Sequence, residues 1–212
     1  NYDTPDSIFP NNWISFHSDG KTVLYPMFAK NRRLERREDI LDYLTNQYGF
    51  KINSIKDYTH FENKNQYLEG TGSMILDREN KICYAAISVR TNKQVCLNFC
   101  NDFSYKPIFF VANQNVQGKR LPIYHTNVMM CIADKFAIIC LNSIDSIREK
   151  NHVKTILNNS GKEIKGVYLA VMHSGITNAP LAGKLGMQEI ITGFRHPLIS
   201  NFITQKTIDN DS

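Results

Sequence analysis

Three short segments of this sequence combine polar side chains able to do chemistry with backbone that must turn sharply. Asp6-Ser7-Ile8-Phe9-Pro10-Asn11-Asn12-Trp13 is followed, after a strand, by Pro26-Met27 and Arg32-Arg33. Glu69-Gly70-Thr71-Gly72-Ser73 is the second segment, and Tyr124-His125-Thr126-Asn127, set before a hydrophobic strand, is the third. A carboxylate and a histidine brought together by the fold can do general acid/base work. Asparagine offers both a donor and an acceptor, which suits a neutral planar group. An arginine such as Arg32 can clamp a carboxylate with two parallel hydrogen bonds.

Taken singly, each has an ordinary structural reading. Glu69 before a glycine turn reads as a solvated loop carboxylate, and His125 equally as a satisfied structural histidine. Asn11-Asn12 after a proline reads as a turn or helix cap. Arg32, Arg33, Arg36 and Arg37, interleaved with Glu35, Glu38 and Asp39, read as a solvated helix face that pairs with its own acids. The five cysteines (Cys83, Cys96, Cys100, Cys131, Cys140) lie in or beside apolar runs, and the odd count reads as reduced thiols of a cytoplasmic protein. Cys96 and Cys100 have no His or Cys at zinc-site spacing, so no metal site is expected.

These segments need elements to hold them. Lys21–Tyr25 reads as a strand, and Leu34–Tyr48 as an amphipathic helix with Ile40, Leu41, Leu44 and Tyr48 on one face. Ser73–Asp77 leaves the glycine turn as a strand, and Asp77–Asn80 is a hairpin turn into Lys81–Val89. Strands are expected again over 107–112, 127–133 and 135–141, and a helix over 146–157. The sum is an α/β chain with much antiparallel pairing and no evident internal repeat. From 167 the pattern changes to a continuous apolar strand, a small-residue turn at His173-Ser174-Gly175 and a helix over 179–192 that starts near Pro180 and stops at Gly193. The polar stretch Ser160–Lys165 is the expected boundary, between domains 1–162 and 163–212.

Composition excludes several classes. The 212 residues are 42% hydrophobic and 21% charged, which rules out global disorder. No stretch approaches the roughly 18 to 20 unbroken apolar residues of a membrane helix. A net charge of +5 with scattered basic residues argues against nucleic acid as a partner. The opening Asn-Tyr-Asp-Thr-Pro-Asp shows neither a secretory signal nor an initiator Met, so a fragment is expected.

In combination, residues from about 3 to 160 resemble the amidinotransferase, or guanidino-group-modifying, superfamily. Its members include arginine deiminase and dimethylarginine dimethylaminohydrolase, and the resemblance is greatest to a citrulline-utilisation hydrolase branch. The matching segments are residues 5–13, Leu24-Tyr25-Pro26-Met27 through Asn31–Arg37, Leu68–Ser73, and His125-Thr126-Asn127, in the family's order. The resemblance implies an α/β propeller of ββαβ modules. It implies His125 as general acid/base and Glu69 as its partner at the reacting carbon. Asp6 would hold a substrate α-amino group and Arg32 its α-carboxylate, with Asn11 in the same substrate loop. Asn12 and Asn127 stand where the deiminases carry acids that grip a cationic guanidinium. Amides there imply a neutral, citrulline-like ureido group, since a buried carboxylate without a cation is costly.

The family's chemistry uses a cysteine nucleophile near the C-terminus. The sequence has no cysteine after Cys140, so an incomplete propeller without turnover is expected, and its exposed strand edges favour a homo-oligomer. Residues 165–205 resemble the C-terminal end of FAD-dependent amino-acid oxidoreductases, in which the His173-Ser174-Gly175 turn would face the flavin. No glycine-rich dinucleotide fingerprint accompanies it, so no cofactor is expected and FAD belongs only to that alternative. The junction near 163 suggests a fusion or a frameshift.

Overall fold

In the computed structural model, residues 4–8, 10–116, 118–165, 168–170, 188, 192 and 204–206 are described. Strands β1 (Ile14–Phe16) and β2 (Lys21–Leu24) pair antiparallel, with Ser15 opposite Val23. Helix α1 (Glu38–Tyr48) returns the chain to β3 (Ser54–Asp57), which lies parallel to β2. After a four-residue helix α2 (Gly70–Ser73), the same succession recurs. Strand β4 (Ile75–Asp77) turns into β5 (Ile82–Ala86) antiparallel, and helix α3 (Lys93–Phe103) leads to β6 (Lys106–Phe110), parallel to β5. A hairpin follows, β7 (Asn113–Val116) with β8 (Lys119–Pro122). The succession then appears a third time, as β9 (Met130–Ile132), β10 (Phe136–Ile139), helix α4 (Ile147–Asn159) and β11 (Glu163–Lys165).

Three ββαβ units therefore make a mixed α/β fold of small sheets. This corrects the reading that the chain has no internal repeat. Topology repeats while residues do not, because each unit buries a different share of its strands. All five residues of β5 are buried, whereas β10 alternates exposed and buried.

Period-two alternation on β5 explains where the core sits. Ile82, Tyr84 and Ala86 face one apolar cluster, with Ile108, Phe110, Ala137, Ile139, Val153 and Leu157. Cys83 and Ala85 face the other, with Val23, Tyr25, Leu68, Val95, Phe99 and Tyr105. The first cluster joins the second and third units, and the second joins the first and second.

Several local expectations shift. The helix expected from Leu34 begins at Glu38, because residues 31–35 form a 3-10 turn and Arg36 turns extended. Arg37 is exposed and pairs with Asp39 as expected, but the other three arginines are not a solvated helix face. Arg32 and Glu35 are buried and paired to each other, while Arg33 and Arg36 both reach Glu62 of another segment. In the tail, β12 (Tyr168–Ala170) pairs antiparallel with β13 (Thr204–Lys206). The turn at His173, Ser174 and Gly175 lies outside the described residues, as does the helix expected over 179–192 except for Gln188 and Thr192. Among the described residues, no helix is long and apolar enough to cross a membrane.

Candidate active site

The glycine-rich turn that reads as a loop in sequence is a tightly seated α2. Gly70 has a φ of +46°, and a Cβ there would sit 2.4 Å from the Asn11 carbonyl oxygen. A Cβ on Gly72 would lie 2.6 Å from Asn12 Oδ1 and 3.0 Å from His125 Cε1 and Nδ1. Glycine is what allows Asn11 and Asn12, α2 and the histidine to come this close. Ser73 closes the turn from inside: its hydroxyl accepts from Glu69 N (2.9 Å) and donates to the Arg90 carbonyl (2.7 Å).

His125 is aimed by its neighbour. The Thr126 hydroxyl donates to the Ser73 carbonyl (2.6 Å) and accepts from Ala86 N (2.9 Å), so it ties the histidine's backbone to both α2 and the end of β5. The result is a contact of 2.6 Å between His125 Nε2 and Glu69 Oε2, with both side chains buried. The other carboxylate oxygen accepts from Phe28 N at 2.9 Å.

Burial by itself pushes the Glu69 carboxyl up. The hydrogen bond and charge of His125, the Phe28 N–H and the Arg90 guanidinium outweigh it and hold the group below its ordinary value. Glu69 is thus ionised and accepts only, so Nε2 of His125 carries the proton and donates it. That assignment leaves Nδ1 on the ring edge facing Gly72, where an absent side chain keeps room.

A residue that the sequence reading did not single out completes the cluster. Arg90 Nη1 lies 3.4 Å from Glu69 Oε2, and its guanidinium is 5.6 Å from the Phe28 ring and 5.2 Å from the Tyr124 ring. It follows β5 in an irregular turn, where spacing alone carries no signal.

The remaining expected residues sort into groups. Asn12 is buried against α2 and accepts from Asn11 Nδ2 at 3.1 Å, while Asn11 itself is exposed. Asn127 is exposed in the 3-10 turn directly after Thr126. Arg32 donates twice to Glu35, at 2.9 and 3.0 Å, and Asp6 Oδ2 is 4.0 Å from Arg32 Nε. Glu69, His125 and Asn12 are thus brought together, and Asp6 meets Arg32. The thiols have other settings. Cys83, Cys96 and Cys100 are buried between β5 and α3, Cys140 is buried after β10, and Cys131 is exposed on β9. A buried carboxylate–imidazole pair beside an amide and a guanidinium can hold and move a proton next to a polar, planar group.

Comparison with known proteins fits this geometry. The sequence model of the family described as "N,N dimethylarginine dimethylhydrolase, eukaryotic" matches residues 1–185, running past the boundary expected near 163. Among solved structures, the N-terminal domain of ArgZ, an arginine dihydrolase from the ornithine-ammonia cycle in Cyanobacteria, is similar as a substrate-bound cysteine-to-serine mutant. It is 15% identical over 85% of this chain and 66% of that one, with a TM-score of 0.56. AgrE in a ternary complex with ornithine and NAD+ is 16% identical over 82% of this chain and 23% of that one, TM-score 0.55. At these identities the likeness is one of fold. The chain spans 53% of another ArgZ N-terminal domain structure, so it corresponds to part of its relatives. No curated protein matches it.

Proposed function

Because this chain belongs to the family of eukaryotic N,N dimethylarginine dimethylhydrolases, we propose that it binds an amino acid whose side chain ends in a guanidino or ureido group, the substrate class of a guanidino-group hydrolase. The observation that carries this reading is the buried Glu69–His125 contact of 2.6 Å, set against Asn12. In the proposed roles, Glu69 orients His125, and His125 stands where a proton would be exchanged with the leaving nitrogen at the planar carbon. Asp6 takes the substrate α-amino group and Arg32 the α-carboxylate. Arg90 is a second cation within reach of the Glu69 carboxylate.

The finer proposal is a ureido rather than a guanidinium group. Asn12 and Asn127 supply donors and acceptors without charge, which suits a neutral end better than a cation. Hydrolysis of such a group consumes water and yields an amine, ammonia and carbon dioxide. Attack on the carbon calls for a nucleophile, and the five thiols of this sequence sit in the cores or on β9. We therefore propose binding without turnover for this chain, with its ββαβ units forming part of a propeller.

Calorimetry with citrulline and arginine, run beside an ammonia-release assay, tests this. Citrulline binds about tenfold more tightly, close to 1.4 kcal/mol, and no ammonia appears. Asn12→Asp combined with Asn127→Asp reverses the order toward arginine. An unchanged preference overturns the ureido assignment, and failure of both amino acids to bind overturns the site. Ammonia release that is lost in His125→Ala overturns the absence of turnover while keeping the site.

A further inference from the structure

Outside this site, a triangle of thiols lies among the described residues in the core of the first and second units. Cys96 and Cys100 are one turn apart on the inner face of α3, and Cys83 meets them from the facing side of β5. Their three sulfurs all lie within 4.8 Å of one another, and Cys83 Sγ and Cys96 Sγ are 3.9 Å apart. Neither spacing in sequence nor the Cys-x-x-x-Cys pair predicts this, because the third thiol comes from a strand thirteen residues earlier.

We propose that Cys83, Cys96 and Cys100 form a three-coordinate site for a soft, thiophilic monovalent cation, copper(I) being the physiological representative. A trigonal ion with metal–sulfur bonds of about 2.3 Å sets its sulfurs about 4 Å apart, the separation of the Cys83–Cys96 pair, and the Cys100 sulfur is within 4.8 Å of both. Soft thiolate donors select copper(I) over hard cations. Among the described residues, the donors that can close on one ion here are these three sulfurs, which leaves a tetrahedral zinc site one ligand short. The Tyr25 hydroxyl at the edge of the same core is engaged with Ser15 Oγ at 2.7 Å. Val95, Phe99 and Tyr105 wrap the triangle in apolar surface, which keeps water and oxidants from the ion.

Loading transfers no electron. Starting from three thiols, three Cu–S bonds form, three S–H bonds break, and three protons pass to the buffer. Two net negative charges remain on the copper–trithiolate centre, in a core that the Arg78 charge already reaches through Tyr25.

The test titrates the reduced, folded chain anaerobically with the copper(I) complex of bicinchoninate. The chain removes one equivalent of copper, X-ray absorption gives three sulfur neighbours, and affinity rises with pH as the thiol protons are released. Cys96→Ser and Cys100→Ser each weaken binding at least tenfold, while Cys131→Ser leaves it unchanged. Alkylation mapping of the unmutated protein gives a readout free of folding effects: copper protects Cys83, Cys96 and Cys100 together. Failure to compete with bicinchoninate overturns the proposal, as does binding retained within twofold in both serine variants. Recovery of a Cys83–Cys96 disulfide from anaerobically purified protein overturns it too.

Discussion

Glu69 has no exposed surface, and its sequence context alone favours a solvated carboxylate. The two differ because Glu69 sits between a segment 41 residues before it and a histidine 56 residues after it. Residue types made the pair legible, and only the resemblance joined them, since spacing does not encode contacts at such separations. Arg90 had neither aid. The lowered pKa of Glu69 has a consequence for stability. A carboxyl depressed in the folded state stabilises fully above its unfolded value of about 4.3, and that contribution disappears as pH falls through the folded value. Thermal scans from pH 7 to pH 3 therefore lower the Tm of the native protein more than that of Glu69→Gln. The variant begins lower at pH 7 by roughly 1–3 kcal/mol, or about 2–4 °C for each kcal/mol. Parallel curves would remove Glu69 from the acid transition. Exposed carboxylates such as Asp39 and Asp145 are depressed as well, but they titrate equally in both proteins.

Elements with strong periodicity were legible. The helix expected over 146–157 is found at Ile147–Asn159, with the Ser146 hydroxyl accepting from Glu149 N. The strand expected at Lys21–Tyr25 ends one residue early. Helix α3 escaped, although Val95, Cys96, Phe99, Cys100 and Phe103 have helical spacing and Asn92 caps Gln94 and Val95. Two of those five apolar positions are cysteines, and the segment carries polar Asn98, Asn101 and Asp102 between them, which blurs the helical stripe. The short α2 was legible only as a turn, because nothing in Gly70-Thr71-Gly72-Ser73 records what presses against it. Gly72→Ala places a methyl against Asn12 and the His125 ring, within distances that force one of them to move. Ligand affinity measured by calorimetry falls at least tenfold, while Tm falls by no more than about 4 °C, one or two kcal/mol for this size. Equal affinity in the variant would separate Asn12 and His125 from the binding site.

At the level of the molecule, strand pairs separated by helices were legible, but no repeat of residues marks the three units, because β2, β5 and β10 fill the same place with Lys-Thr-Val-Leu, Ile-Cys-Tyr-Ala-Ala and Phe-Ala-Ile-Ile. Ion pairs between units were equally hidden. Lys162, just before β11, is buried and donates to the Asp134 carbonyl at 2.7 Å. Its ammonium is 3.8 Å from the buried Asp77 that closes the turn between β4 and β5, and 3.5 Å from Glu79. Lys162→Met leaves Asp77 buried without that cation and costs about 3 kcal/mol, near 6 °C or more in Tm. Adding Asp77→Asn restores much of the loss, because Asn80 can still pair with the amide. A double variant as unstable as the sum of the singles would make the contact incidental.

Strand β5 has no solvent side. Sliding it by one position would drive the Tyr84 ring into space shaped for Cys83 and Ala85, and empty the opposite pocket, so misalignment is punished twice. Its amides should be the last to trade hydrogen for deuterium. Loosening either flanking unit then transmits to the other through five residues, giving the first and third units a common fate.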